Sequence, residues 1–277
     1  SLAALRVVRN LFSVYNKGGQ QTYNKAKEPS AANSGDHDFI KNRGYWMDIW
    51  EEMLRLKPEF YKAYTDFSSA PWKHGVLEPK VKEFMYIAVD ASTTHLYNMG
   101  TRVHIQNALR HGASEEEIFE VLAMTSVLGI HSCSLGMPVL IEELEAAGKL
   151  NRPAIDERRQ KIKDEYIKVR GYWSERQEDM LAMAPDFFEA YLNFSGAPWR
   201  TNVLEPKVRE FVYIAIDAAT THLYEPGLRL HIRNAIGYGA SQDELMEILQ
   251  LIAALGIHTM TESLPILTQE VAKTKKR

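Results

Sequence analysis

The sequence predicts an all-α protein made of two tandem copies of one helical unit, and three observations predict it. Residues 44–145 and 171–272 align at a constant offset of 127 with no gap, and Pro58–Leu109 is identical to Pro185–Ile236 at 33 of 52 positions, too many for chance. Apolar residues inside each copy recur at intervals of three and four, the period of one helix face. Nothing alternates with a period of two over a useful length, as a half-buried strand would.

The elements follow in order. Ser1–Tyr15 (SLAALRVVRNLFSVY) reads as an amphipathic helix, interrupted by Arg6, Arg9 and Asn10 and so unlike a signal-peptide core. Residues 16–43 are rich in Gly, Lys, Asn, Gln and Ser, a composition that cannot bury enough apolar surface to order itself. Residues 1–43 are therefore expected to form an N-terminal helix and a flexible arm. The first unit, 44–145, opens one helix at Glu78-Pro79, since proline is tolerated in a first turn. Val81, Phe84, Met85, Ala88 and Val89 give that helix its apolar face. It is expected to end around TTHLY (93–97), with Gly100 breaking the pattern before a second helix that Gly112 closes. Ser114 with Glu117, and Ser241 with Glu244, are capping boxes that open a third, strongly apolar helix, EEIFEVLAMTSVLGIHS in the first copy. Residues 146–170 read as a charged linker and helix, and 171–277 as the second unit with a basic tail.

Composition narrows the function. A net charge of −3 and a pI near 6.3 give no reason to expect a nucleic-acid or anionic-membrane surface. The single cysteine, Cys133, excludes an internal disulfide, a cysteine-built zinc site and any chemistry needing two thiols in one chain. No run approaches eighteen consecutive apolar residues, so no membrane span is expected and the protein is read as cytoplasmic. No Gly-rich phosphate loop, nucleotide fingerprint or GxSxG elbow occurs.

The duplication also supplies an internal comparison. Lys62/Glu189, His74/Thr201, Asn98/Glu225 and Gln106/Arg233 diverged, whereas Glu83/Glu210, Asp90/Asp217, His95/His222, Tyr97/Tyr224, Arg102/Arg229, His104/His231, Asn107/Asn234 and His131/His258 did not. Glu83 and Asp90, seven apart, share one helix face. If that face meets the second helix, Glu83 can orient or share a proton with His104, as acid–base catalysis requires; an ion pair with Lys80, Lys82 or Arg102 is the plain alternative. Tyr97 can donate to a developing enolate or simply pack. Arg102 can bind a substrate carboxylate or sit paired on the surface. His131 in an apolar helix reads first as structural. Trp72 and Trp199 either wall an apolar pocket or plug the bundle. Glu83, His95 and His104 lack a short ligand spacing such as HExxH, so the expected site has no metal, ligation assembled across helices being the alternative.

These residues carry a family resemblance. The runs KEFMYIAVDASTTHLYNMGTRVHIQNALRHGASEEEIFEVL and REFVYIAIDAATTHLYEPGLRLHIRNAIGYGASQDELMEIL resemble the carboxymuconolactone decarboxylase and alkyl-hydroperoxidase-D-like superfamily. The resemblance covers both copies and implies helical bundles that assemble as homo-oligomers, here a dimer or trimer of tandem chains. The peroxidase branch carries a CxxC pair ending four residues before the histidine. Tyr97 and Gly100, and Tyr224 and Gly227, stand at those positions, so thiol peroxidase chemistry is excluded twice over. The decarboxylase branch implies a cofactor-free lyase acting on a small carboxylated lactone from aromatic-compound catabolism. On that reading His104 and His231 are acid/base residues supported by Glu83 and Glu210. Tyr97, Tyr224, Arg102, Arg229, His95, His222, His131, His258, Trp72 and Trp199 then serve substrate binding. Rival readings are an isomerase or hydrolase with the same site, and a small-molecule-binding or assembly protein without catalysis.

Overall fold

The chemistry of helix ends sets the architecture. The computed structural model describes residues 39–275 except Asn42, so residues 1–38 of the expected helix and arm, and the last two residues of the tail, lie outside the described residues. Among the described residues the structure is helical throughout and without strands. The helices are α1 (Asp48–Leu56), α2 (Pro58–His74), α3 (Pro79–Ala91), α4 (Asn98–Arg110), α5 (Glu115–Ser126) and α6 (His131–Ala146). Then come α7 (Glu157–Arg170), α8 (Glu175–Met183), α9 (Pro185–Gly196), α10 (Pro206–Ala218), α11 (Glu225–Gly237), α12 (Gln242–Ala253) and α13 (His258–Thr274).

Pro79 and Pro206 open α3 and α10 at positions whose missing N–H has no intrahelical partner to lose. Both capping boxes form: Ser114 and Ser241 accept from the third helical N–H, and Glu117 and Glu244 reach back to the cap. Gly112 and Gly239, at φ +85° and +86°, take the left-handed conformation that ends α4 and α11. Asp156 caps α7 through the Arg159 amide. Two expectations are corrected. The third helix is not continuous, because a 3₁₀ turn at Val127–Ile130, repeated at Ala254–Ile257, interrupts it before His131 and His258. Gly100 does not break a helix but lies buried inside the first turn of α4.

The chain divides into two compact units that do not follow the repeats: residues up to Ser69 with Leu264 onward, and Ala70–Ser263. In the first, Phe39, Trp50, Tyr61 and Tyr64 form an aromatic cluster around the fully buried Trp50. Phe39 and Arg43, at the end of the expected arm, are buried and ordered there. In the second unit α3 packs on α10, and each repeat's third helix packs on the other repeat's first, α12 on α3 and α5 on α10. One core of Phe84, Met85, Ile87, Phe211, Val212 and Ile214 therefore joins both copies. The runs Glu115–Ala146 and Gln242–Thr274 are each long and apolar enough to cross a membrane by length and composition, although neither contains the uninterrupted apolar stretch sought in the sequence. Both are bent at the 3₁₀ turns and carry a half-buried histidine, His131 or His258.

Candidate active site

In each copy two successive helices, α3 with α4 and α10 with α11, lie against one another and bring a glutamate to a histidine. Glu83 Oε2 of α3 is 2.6 Å from His104 Nδ1 of α4, and both side chains are almost fully buried. The second copy repeats the pair, Glu210 Oε2 to His231 Nδ1, at 2.6 Å. Asn107 and Asn234 donate to the other carboxylate oxygen at 3.3 and 3.2 Å. A tyrosine ring covers each imidazole at 4.5 Å, Tyr86 over His104 and Tyr213 over His231. With Nδ1 of His231 held by the carboxylate, its Nε2 is the nitrogen that can exchange a proton with a ligand. In the first copy Nε2 lies 3.9 Å from Asp90 Oδ2.

The turn after α3 supplies the next layer. Leu96 and Leu223 adopt φ 49° and 50°, a region that costs a non-glycine residue about 1–2 kcal/mol, and both are exposed. The amide of Tyr97 then bonds back to Asp90 O at 2.8 Å, and that of Tyr224 to Asp217 O at 2.9 Å. This kink sets His95 and Tyr97 against one partner, His258, with ring separations of 5.1 and 3.9 Å. Strain recurring at the same position in both copies is a mark of a functional turn.

His258 belongs to the other copy. Each site is thus completed across the duplication: His258 and Thr261 reach Asp90, His95 and Tyr97, while His131 reaches Asp217, His222 and Tyr224. Burial holds the His95 and His222 rings below the usual imidazole range. Burial, with the nearby charges of His222 and His231, takes His131 down to about 3. Burial also pushes the Asp217 carboxyl up to about 8.

Beside His231 is a cavity of about 80 Å³, lined among others by His131, Arg170, Arg176, Tyr191 and Tyr224. Arg170 is only 4% exposed, yet among the described residues no carboxylate pairs with it. Its Nη1 donates to Ser195 O at 3.2 Å, and it lies over the Trp199 and Tyr213 rings. A buried guanidinium without a counter-ion is costly unless a ligand supplies one.

The expected site residues divide cleanly. Glu83, His104, His95, Tyr97 and His258 come together, as do Glu210, His231, His222, Tyr224 and His131. Arg102 and Arg229 do not join them: both are exposed, and Arg229 pairs with Glu225. Trp72 and Trp199 stand behind the site, reaching the Tyr86 and Tyr213 hydroxyls at 3.3 and 3.5 Å. Sequence reasoning noticed Asp90 and Asp217 without giving them a role. It missed Arg170 and Arg176, which lie in the segment read as linker and at the edge of the second unit.

Comparison with known proteins identifies the family and the fold. The model of the carboxymuconolactone decarboxylase family matches residues 58–130 and 185–268. A crystal structure from Burkholderia xenovorans LB400, named as a candidate gamma-carboxymuconolactone decarboxylase subunit, is 44% identical with a TM-score of 0.83. The match covers 86% of this chain and 96% of that one. No curated protein matches the chain.

Proposed function

The chain belongs to the carboxymuconolactone decarboxylase family, and on that premise we propose that it is a carbon–carbon lyase releasing CO₂ from a small carboxylated lactone of aromatic-compound breakdown. The observation that carries this reading is the buried Glu–His pair at 2.6 Å, present twice with the same partners. Loss of CO₂ beside an unsaturated lactone carbonyl leaves a dienolate, which must be stabilised and then protonated on carbon. Glu83 and Glu210 hold Nδ1 and orient the rings, so that His104 and His231 deliver the proton from Nε2. Tyrosine hydroxyls on the cavity beside His231 are placed to stabilise the oxyanion. Arg170 and Arg176 suit a carboxylate that the product keeps, since a grip on the departing one would stabilise the ground state instead.

The same proposal includes self-assembly of the tandem chains, supported by Leu135, Val139 and Leu140, which α6 leaves exposed. Light scattering on the purified protein measures it.

The test of the chemistry is CO₂ release from γ-carboxymuconolactone by the full chain. Turnover is expected, and the double variant His104→Ala, His231→Ala is expected to lose it while keeping its helical circular-dichroism signal. Undiminished CO₂ release from that variant ends the histidine assignment. Consumption of the lactone without CO₂ points instead to an isomerase or hydrolase with the same pair.

A further inference from the structure

Next to each Glu–His pair is a second cluster that proton transfer does not use. Asp90 Oδ1 faces His95 Nε2 at 3.8 Å and His258 Nδ1 at 3.6 Å, and the two ring nitrogens are 2.8 Å apart. In the other half Asp217 Oδ1 faces His222 Nε2 and His131 Nδ1 at 3.8 Å each, with the ring nitrogens 2.7 Å apart. We infer that each of these two-histidine, one-carboxylate clusters holds a first-row divalent cation.

The distances favour an ion over a network of hydrogen bonds. In both halves the rings stand 3.6–3.8 Å from the carboxylate oxygen, too far to donate a hydrogen bond to it. A triangle with these sides instead has its centre about 2 Å from each corner, which is the bond length of zinc-sized cations to imidazole and carboxylate. The three atoms lie within 4 Å of one another in both halves. Two imidazoles and one carboxylate select a borderline transition ion over magnesium or calcium, which prefer all-oxygen shells. Three protein ligands also leave positions open for water or a substrate oxygen.

Two further observations point to the same ligands. The carboxylate occupies space that only glycine leaves: a Cβ at Gly100 would lie 2.0 Å from Asp90 Oδ2, and one at Gly227 would lie 2.1 Å from Asp217 Oδ2. The ligand set also recurs although the copies have diverged around it, and each set draws one histidine from the opposite copy.

An ion at either point would stand close to the proton-transferring histidine, since Asp90 faces His104 with one oxygen and the histidine pair with the other. The inference departs from the metal-free expectation drawn from the resemblance, and it does not depend on the lyase reading, because binding is measured without substrate. The experiment is titration of chelator-treated full-length protein with Co²⁺, followed by its visible absorption and reversed with Zn²⁺. Uptake of about two ions per chain is expected, falling to about one in His258→Ala and to none in His131→Ala, His258→Ala. Asp90→Asn with Asp217→Asn, isosteric and less disruptive, is expected to weaken Co²⁺ binding at least about tenfold with the circular-dichroism spectrum unchanged. Absence of saturable Co²⁺ uptake by the wild-type chain overturns the inference, as does unchanged uptake in the aspartate variant.

Discussion

In the second half of the chain, His231 adjoins a cavity whose wall includes Arg170, Tyr172, Ser174, Arg176 and Gln177. At the positions offset by 127, the first half has Arg43, Tyr45, Met47, Ile49 and Trp50. Three polar residues of the second half thus correspond to apolar ones in the first, and Trp50 is a fully buried part of its own aromatic cluster. The first half has a feature of its own: Arg110 donates to Asn107 Oδ1 at 2.7 Å and extends the chain Asn107–Glu83–His104, whereas Gly237 stands at the corresponding place. After duplication the proton-handling pair stayed fixed while the residues that would meet a substrate changed. The 2.6 Å hydrogen bond recurs in both halves, and buried Arg43 answers Arg170, but the first half has no counterpart to the polar side chains of Ser174, Arg176 and Gln177.

The largest expected difference between the halves is in turnover. His231→Ala should lower turnover at the second site by about 10²–10⁴-fold, the usual weight of a general acid, and so remove the larger share of CO₂ release, leaving what the first site supplies. His104→Ala should lower CO₂ release by much less, because its half lacks Arg176 and Gln177. Steady-state kinetics on both single variants checks this, and equal losses would break the comparison.

Next comes the stability of the joint between the copies. Lys82 pairs with Glu247 at 2.7 Å, and Arg209 with Glu120 at 2.9 Å, all four side chains at most 4% exposed. Glu247 also accepts from the amides of Val76 and Leu77, and Glu120 from that of Leu204. Glu247→Ala should cost about 3–5 kcal/mol, since it strands a buried ammonium whose remaining bond is to Pro71 O. Glu120→Ala should cost less, because Arg209 keeps two bonds to Thr201. Denaturant unfolding of both variants measures the difference, and a larger loss for Glu120→Ala would reverse the argument.

A smaller effect separates glycines that face a carboxylate from one that does not. Gly227→Ala should destabilise by about 1–3 kcal/mol, because its Cβ would collide with Asp217. Gly237→Ala meets nothing within 4 Å and sits in a helix, so it should be neutral or stabilise by up to about 1 kcal/mol. Melting temperatures that move together would show that the carboxylate yields to the intruding methyl group.

Much of this molecule could be read from local rules. The capping boxes at Ser114 and Ser241, the prolines opening α3 and α10, and the duplication follow from spacing within one segment of chain. The pairing of Glu83 with His104 could be read only on the condition that the face of α3 meets α4, since helix period puts a residue on a face but does not say what the face packs against. What was not legible depends on which segments meet. His258 could not be assigned to Asp90 from either copy alone, since their contact is made across the duplication. Gly100 looked like a helix breaker because the sequence does not show Asp90 lying over it. Arg170 looked like a linker charge because nothing local marks it as buried beneath Trp199 and Tyr213.

The finest test of the comparison transplants one residue between the halves. Arg176 lies on the cavity wall near the Tyr224 hydroxyl, at 3.5 Å, and Ile49 holds the corresponding position. Because Arg176 is exposed, its grip on a carboxylate is partly screened, and loss of one such charge-assisted bond is worth about 1.4 kcal/mol, or tenfold. Arg176→Ile should therefore raise KM for a carboxylated lactone roughly tenfold while leaving kcat nearly unchanged, the pattern of binding lost equally from ground and transition states. Raised salt should weaken substrate binding to the wild type more than to the variant. A fall in kcat with KM unchanged would mean that Arg176 acts on the reacting atoms, and the second half would then differ from the first in its chemistry as well as in its grip.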